Sequence, residues 1–467
     1  MSLTPYPLRR RFALVLGLAA AAALVLSLTA SATIPVLKIA TDPFTNSTSQ
    51  HKTVVEPDSF FFGSTGVAAA QAGRFNDGGA SGIVFARSVD NGVSYTSGTL
   101  PGITVFQGGP FARVSDPSVA HDRKHGVWMV SSLALDATVR GVAVIVNRST
   151  NGGLTWGNPV TVRNAAANED FDKNWTVCDN TTSSPFFGTC YTVWDDFANG
   201  NNLKIAFSTD GGLNWTLSTT PNAGVIGGQP LVQPNGQVVV PLDNAAETAL
   251  QFTISTNGGV SFGPVTTITS ITAKVDPGGI RSGPLPSAEV AGDGKIFVVW
   301  EDCRFRSGCS TNDLVFVTSL NGTTWSAVQR IPIDPTSSVV DHFIPGVGVD
   351  RNTSGSTTKV AVTYYFFPNV NCTFSTCSLH VGFVNSSNAG VTWNPFVDVV
   401  APMSLASLPN TTQGRMVGDY ISTSFNASLQ ARGYFVVANP PISGGTDCQT
   451  ATPNCDVSLN TFVNGQS

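Results

Sequence analysis

The chain runs to 467 residues, of which 12% are charged and 46 are glycine, with a formal net charge of −5. That composition excludes long solvated helices and coiled coils, and the lack of a basic field argues against nucleic acid as a partner. The length suits one large domain or a few ordinary ones.

Residues 9–11 form a basic start, residues 12–28 an apolar run, and Ala30-Ser31-Ala32 a small-x-small cleavage pattern. Together these read as a secretory signal over residues 1–32, with an exported domain over 33–467. The apolar run is long enough to leave an uncleaved membrane anchor as the alternative. Arg9-Arg10-x-Phe12 also has a faint likeness to a twin-arginine export signal. No later run reaches the length of a transmembrane span.

Eight cysteines fall into four close pairs: Cys178 with Cys190, Cys303 with Cys309, Cys372 with Cys377, and Cys448 with Cys455. No Cys-x-x-Cys spacing suggests zinc. Disulfides between nearest neighbours, formed in an oxidising compartment, are expected.

Along the mature chain one pattern recurs: SVDNGVSY, STNGGLTW, STDGGLNW, STNGGVSF, the shorter SLNGTTW, and SSNAGVTW. Its Asp or Asn positions are Asp90, Asn151, Asp210, Asn257, Asn321 and Asn388, at steps of 47 to 67 residues. A repeat of this period marks a propeller or another array. An apolar β-run precedes each copy (LKIAFS, ALQFTIS, DLVFVTS), a second lies upstream (TCYTVWDD, KIFVVWED), and a shorter third opens the unit (DPSVAHD, IPGVGVD). With the segment after each copy, that makes four short strands per unit, bounded by Gly, Asn and Pro. The expected fold is therefore all-β, a single propeller domain of four-stranded antiparallel blades. Seven blades are expected, six being the alternative, with residues 34–41 supplying the strand that completes the last unit.

The recurring turn falls between the third and fourth strands. Glycine supplies the positive φ it needs, and the Asp or Asn oxygen can hold its N–H groups. Four of the six copies carry Asn, which keeps the acceptor and removes the charge. A catalytic acid could not tolerate that change, so these residues are read as structural. The turns mark one face of the ring; chemistry is expected on the other.

These turns resemble the Asp-box, or bacterial neuraminidase repeat, of sialidase-like propellers, a resemblance that covers nearly all of the mature chain. It implies an exported glycoside hydrolase acting on extracellular glycans, with acidic sugars as candidate substrates. The family uses an arginine triad on the substrate carboxylate, a Tyr–Glu nucleophile pair and an Asp acid/base, outside the paired-carboxylate rule. Carried over, Arg113, Arg281 and Arg415 would clamp the carboxylate. Tyr420 would attack, Glu301 would activate it, and Asp116 or Asp172 would serve as acid/base. Trp194 and Trp300 join the substrate-binding set. The match is incomplete: the only Arg-Ile-Pro, at residues 330–332, follows the fifth repeat, and the glutamate has no matching motif.

A non-catalytic propeller binding glycan or protein through the same face is the competing reading. No cofactor or metal is expected; a structural Ca²⁺ at the acidic loops has no specific motif behind it. The expected partner is an extracellular glycan or glycoprotein, and the expected state a monomer.

Overall fold

The apolar runs become strands, and consecutive strands pair antiparallel. The chain parts into two compact units, Met1–Ala32 and Thr33–Ser467. The computed structural model describes Met1 and residues 34–442, 447–448 and 455–462, so the signal-peptide reading lies outside the described residues. Among them, no helix is long and apolar enough to cross a membrane.

The first strands of the sheets touch one another in turn. Val54–Phe62 meets Arg113–Asp122, followed by Phe171–Cys178, Leu231–Val232, Ser287–Val290, Asp341–Val349 and Ser422–Phe425, which returns to Val54–Phe62. Sheets standing radially around such a ring make an all-β propeller. The apolar faces fill the wedges around the ring, between the two halves of one sheet where Phe85, Trp128 and Ile145 meet, and between two sheets where Phe252, Trp300 and Val315 meet.

Seven or six separate four-stranded blades are not what the sheets form. Five sheets stand free: residues 171–217, 225–270, 287–330 and 341–404, and the sheet of Ser422–Phe425, Ala431–Ala438 and Val457–Phe462. The strands of residues 54–164 instead run as one eight-stranded sheet, because Ala80 pairs with Val114 and joins two meanders. Val36–Thr41 pairs antiparallel with Val457–Phe462 and so completes the last sheet with the start of the domain.

The recurring turns share one hydrogen-bond scheme. In the third copy the Ser208 hydroxyl donates to Asp210 Oδ1 at 2.8 Å and accepts from Gly212 N at 3.0 Å. Asp210 Oδ1 also accepts from Leu213 N and Asn214 N, both at 3.0 Å. Asn151, Asn257 and Asn388 repeat the second of these bonds through their amide oxygens, from Thr155 N, Ser261 N and Thr392 N. The second glycine of each full turn sits at φ near +80°, as at Gly212 (φ 79). The turn aromatics dock on the preceding sheet: Trp156 on Phe85, Trp325 on Phe252 and Trp393 on Phe316. Arg87 and Arg148 then donate to Gly152 O and Gly211 O of the next turn, each at 2.5 Å.

All four disulfides join nearest neighbours: Cys178–Cys190, Cys303–Cys309, Cys372–Cys377 and Cys448–Cys455. Three of them tie loops that follow second strands, on the face opposite the recurring turns.

Candidate active site

Four first strands open with the same irregularity. Glu56, Asp116, Lys173 and Ile344 hold positive φ of 55°, 50°, 49° and 47°. At each the register slips, between Val55 and Asp58, Ser115 and Ser118, Asp172 and Trp175, and Phe343 and Gly346. Proline follows in three copies, as Pro57, Pro117 and Pro345. Left-handed backbone is costly for a side-chain-bearing residue, on the order of 1–3 kcal/mol each, and proline disfavours helical φ/ψ in the residue before it. The ring of packed sheets bears that cost, and the bulges bring three charged side chains together at the channel mouth.

Around them a charged pit assembles. Arg281 donates to Asp419 Oδ1 through Nε at 2.8 Å and to Oδ2 through a terminal nitrogen; the two side chains are 24% and 22% exposed. Gln71 joins Glu56 to Ser115, whose hydroxyl donates to Asp116 Oδ1 at 2.9 Å. Arg74, buried, donates to Gly79 O at 2.6 Å. Asn201 donates to Asp195 Oδ2 at 2.8 Å. The Lys173 ammonium has no hydrogen-bond partner among the described residues and lies 3.6 Å from the centre of the Tyr420 ring.

Carboxylates outnumber cations here: Glu56, Asp116, Asp172, Asp195 and Asp419 face Arg74, Lys173 and Arg281. Burial, then the Asp116 charge, pushes Asp172 up to about 7. Burial, Asp116 and Asp419 push Glu56 well above the usual range. Burial and Asp172 do the same to Asp195. Burial also acts upward on Asp419, but the charge and hydrogen bond of Arg281 hold that carboxyl below the ordinary value. Two guanidiniums share the pit, and burial together with Arg281 lowers Arg74 to about 10.

The arrangement implied by the sialidase resemblance is not the one these residues form. Arg113 is bound to Asp77 at 2.5 Å and Gly78 O at 2.8 Å. Arg415 is buried on Leu408 O, Cys448 O and Asp447. Only Arg281 of the three lies in the pit, so no triad converges. Tyr420 is 4% exposed and donates its hydroxyl to Pro117 O at 3.0 Å, with its ring edge-on to Trp175. Burial, then Glu56 and Asp116, push its phenol well up, the wrong direction for a nucleophile. Glu301 accepts from Ile344 N at 3.1 Å, and its charged neighbours are Asp341 and Glu247. The carboxylates felt at Tyr420 are instead Glu56, Asp116, Asp58 and Asp419. Trp194 and Trp300 are buried in the core; Trp194 packs edge-on to Phe171 and Trp300 donates to Asp302, so neither is free to stack on a sugar.

Asp116, Asp172, Arg281 and Tyr420 are therefore brought together, while Arg113, Arg415, Glu301, Trp194 and Trp300 are not. Glu56 and Arg74 were missed. Glu56-Pro57 parallels Asp116-Pro117 at the start of a first strand, and that parallel was the available signal.

One group among the described residues, Asp313, Asp334 and His342, has metal-like spacing. Arg306 and Arg330 already pair with both carboxylates at 2.5–2.8 Å, which leaves no net negative charge to draw a cation.

No family model and no curated protein matches the chain. Among solved structures it is similar to the Hadza microbial sialidase Hz136, at 17% identity over 68% of this chain and 64% of that one, with a TM-score of 0.48. It is also similar to the intramolecular trans-sialidase of Ruminococcus gnavus, at 12% identity over 68% and 90% of the two chains, TM-score 0.48. A Penicillium chrysogenum α-L-arabinanase matches at 14% identity over 75% and 93%, TM-score 0.42. The chain spans a little under two thirds of the first of these, at 64%. At these identities and TM-scores the likenesses assign neither an activity nor a substrate.

Proposed function

We propose that this is an exported glycoside hydrolase whose acid/base chemistry runs in the charged pit. The observation that carries the reading is Asp172: half-buried, beside Asp116, and holding its proton up to about pH 7. A carboxylic acid still protonated near neutrality is what departure of a sugar oxygen requires. In this reading Asp172 gives its proton to the glycosidic oxygen as the C–O bond breaks. Water adds to the anomeric carbon, and the Asp116 carboxylate takes the proton that the water releases. Arg281 and Asp419, half-exposed together, offer a paired donor and acceptor to sugar hydroxyls.

The arginine geometry changes the substrate class. Arg281 is already taken by Asp419, Arg113 by Asp77 and Arg415 by Asp447, so no set of guanidiniums is free to clamp a sugar carboxylate. Neutral glycans fit better than acidic ones. Four disulfides and a secretory-type start support an extracellular place of work, and the recurring turns are read as Asp-boxes with a purely structural role.

A panel of fluorogenic neutral hexosides and pentosides, with a sialoside, tests the proposal. Expected are turnover of a neutral glycoside, a fall of about 100-fold or more in Asp172→Asn, and retention of most activity in Tyr420→Phe. Equal background rates for wild type and Asp172→Asn on every substrate would sink it. Binding without turnover would favour the second reading, a glycan-holding propeller, for which the scattered Arg113 and Arg415 speak.

A further inference from the structure

At the other end of the channel, where the first strands finish, lies a cavity of about 490 Å³. That volume is within the range of small-molecule sites. Phe60 and Phe62 form one wall. Arg351 lies over Phe60 at 5.2 Å and is held by Glu289 at 3.0 Å. Arg123 lies over Phe62 at 5.9 Å, and among the described residues no carboxylate pairs with it.

Asp350 also lines the cavity. It is fully buried, and among the described residues its Oδ2 has no hydrogen-bond partner. The turn it opens has two counterparts in the ring. Asp122 and Asp179 likewise accept the N–H two residues on, from Lys124 at 2.9 Å and Thr181 at 3.0 Å, and their second oxygens are met by His125 and Ser184. Asp350 accepts from Asn352 N at 2.9 Å, yet nothing meets its second oxygen. A carboxylate oxygen removed from water without a donor is costly, and such a group calls for a partner.

The cavity thus holds one cation without an anion, Arg123, and one anionic oxygen without a donor, on Asp350. The Arg351–Glu289 pair cancels itself, so the surroundings favour neither net sign. The two unpaired groups stand on opposite sides of the channel, because two first strands, Val54–Phe62 and Ser422–Phe425, separate theirs by the shorter path round the ring. We infer that this cavity binds a zwitterion of short-peptide size, its ammonium on Asp350 Oδ2, its carboxylate on Arg123, and its apolar side chains against Phe60 and Phe62.

The test is calorimetric titration of the whole protein with the dipeptide Leu-Leu, its N-acetyl form, its C-terminal amide and free leucine. Leu-Leu should bind, and blocking either end should weaken it by about tenfold or more. Leucine, too short to span the two groups, should bind no better than the blocked forms. In Asp350→Asn the acetylated and free dipeptides should bind alike. In Arg123→Gln, at an exposed position that folding does not need, the amide and the free acid should bind alike. If Asp350→Asn fails to fold, the Arg123 variant and the blocked peptides still decide. Equal binding of blocked and free dipeptide to wild type, or no heat from any of them at about 10 mM, where millimolar affinity would register, overturns the inference. So does a preference for glucuronate, which carries no ammonium.

Discussion

Gly418 approaches Glu56 so closely that a Cβ on the glycine would lie 2.8 Å from both the Cα and the N of Glu56. The contact sits where the last sheet meets the first. It lets Glu56 N donate to Val417 O at 3.1 Å and brings Asp419 N to 3.4 Å from Glu56 Oε1. With φ at 143°, Gly418 also uses backbone that other residues avoid.

Gly418→Ala should therefore open this seam. The obstacle is backbone, which cannot rotate away, so a loss of about 3 kcal/mol is expected in urea unfolding. Gly63→Ala is the control. It too has positive φ (61°), but nothing lies within 4 Å of its added methyl, so about 1 kcal/mol is expected. Equal losses would mean that conformation alone, and not the contact with Glu56, makes Gly418 necessary.

The Arg281–Asp419 pair makes a second prediction. Removing one partner leaves a charge in a pit with little water, whereas removing both does not. Arg281→Met should cost about 2–3 kcal/mol and let the Asp419 carboxyl titrate upward, since Arg281 is what holds it down. Arg281→Met with Asp419→Asn should recover about half of that loss. A double-mutant cycle in which the two changes add without interaction would show the pair to be a surface contact of small worth.

What the sequence discloses depends on how local the physics is. The recurring turns, the short-loop disulfides and the strand at Val36–Thr41 follow from spacing and periodicity, which act over a few residues. Arg113 and Arg415 stand at or before the start of first strands, as Arg281 does, yet Asp77 and Asp447 claim them. No pattern in the chain announces which carboxylate an arginine will find. Trp194 and Trp300, expected in the substrate-binding set, each fall in a second strand with the side chain in the core. Each recurring turn was expected to mark a separate blade, and a single pairing, Ala80 with Val114, joins the strands around the first two. The pit itself depends on bulges in several strands agreeing in direction, which only the closed ring specifies.

Asp210 supports a third prediction, because four other copies carry Asn there, each with its NH2 on a Ser or Thr hydroxyl; here Asn214, whose amide donates to Asp210 Oδ2 at 2.7 Å, has to turn its oxygen toward the new NH2. Asp210→Asn should alter stability by less than about 0.5 kcal/mol, since the amide oxygen can still accept from Leu213 N and Asn214 N, as Asn151 does from Thr155. Asp210→Ala removes the acceptor from both donors and should cost about 1–2 kcal/mol. Neither should change glycosidase activity, which is assigned to the opposite face. A large loss of turnover in a stable Asp210→Asn protein would place chemistry at these turns after all.

The buried acids set the last expectation, the dependence of stability on pH. Burial pushes Asp42 up to about 6, Asp58 and Asp172 to about 7 and Glu301 to about 8. In the unfolded chain the same groups release their protons near pH 4. Between about pH 4 and pH 8 the folded protein therefore holds more protons than the unfolded chain, and stability falls as pH rises through that window. Asp90 and Asp210 work in the other direction. Burial pushes both up, but the hydrogen bonds from Ser94, Ser88 and Val93 N, and from Asn214, Ser208 and Leu213 N, together outweigh it and bring them down to about 2, so their contribution is lost only as pH drops below about 4. The melting temperature should accordingly be highest near pH 4–5 and fall steadily toward pH 8. Asp172→Asn removes one group that must ionise against burial and Asp116. It should leave the melting temperature at pH 4.5 unchanged and raise it at pH 8, by about 2 kcal/mol of stability at about 1.4 kcal/mol per pK unit after allowance for partial exposure. A profile that is flat, or that rises from pH 5 to pH 8, would mean that these carboxyls are hydrated or paired in solution, and Asp172 would then lose its standing as the proton donor.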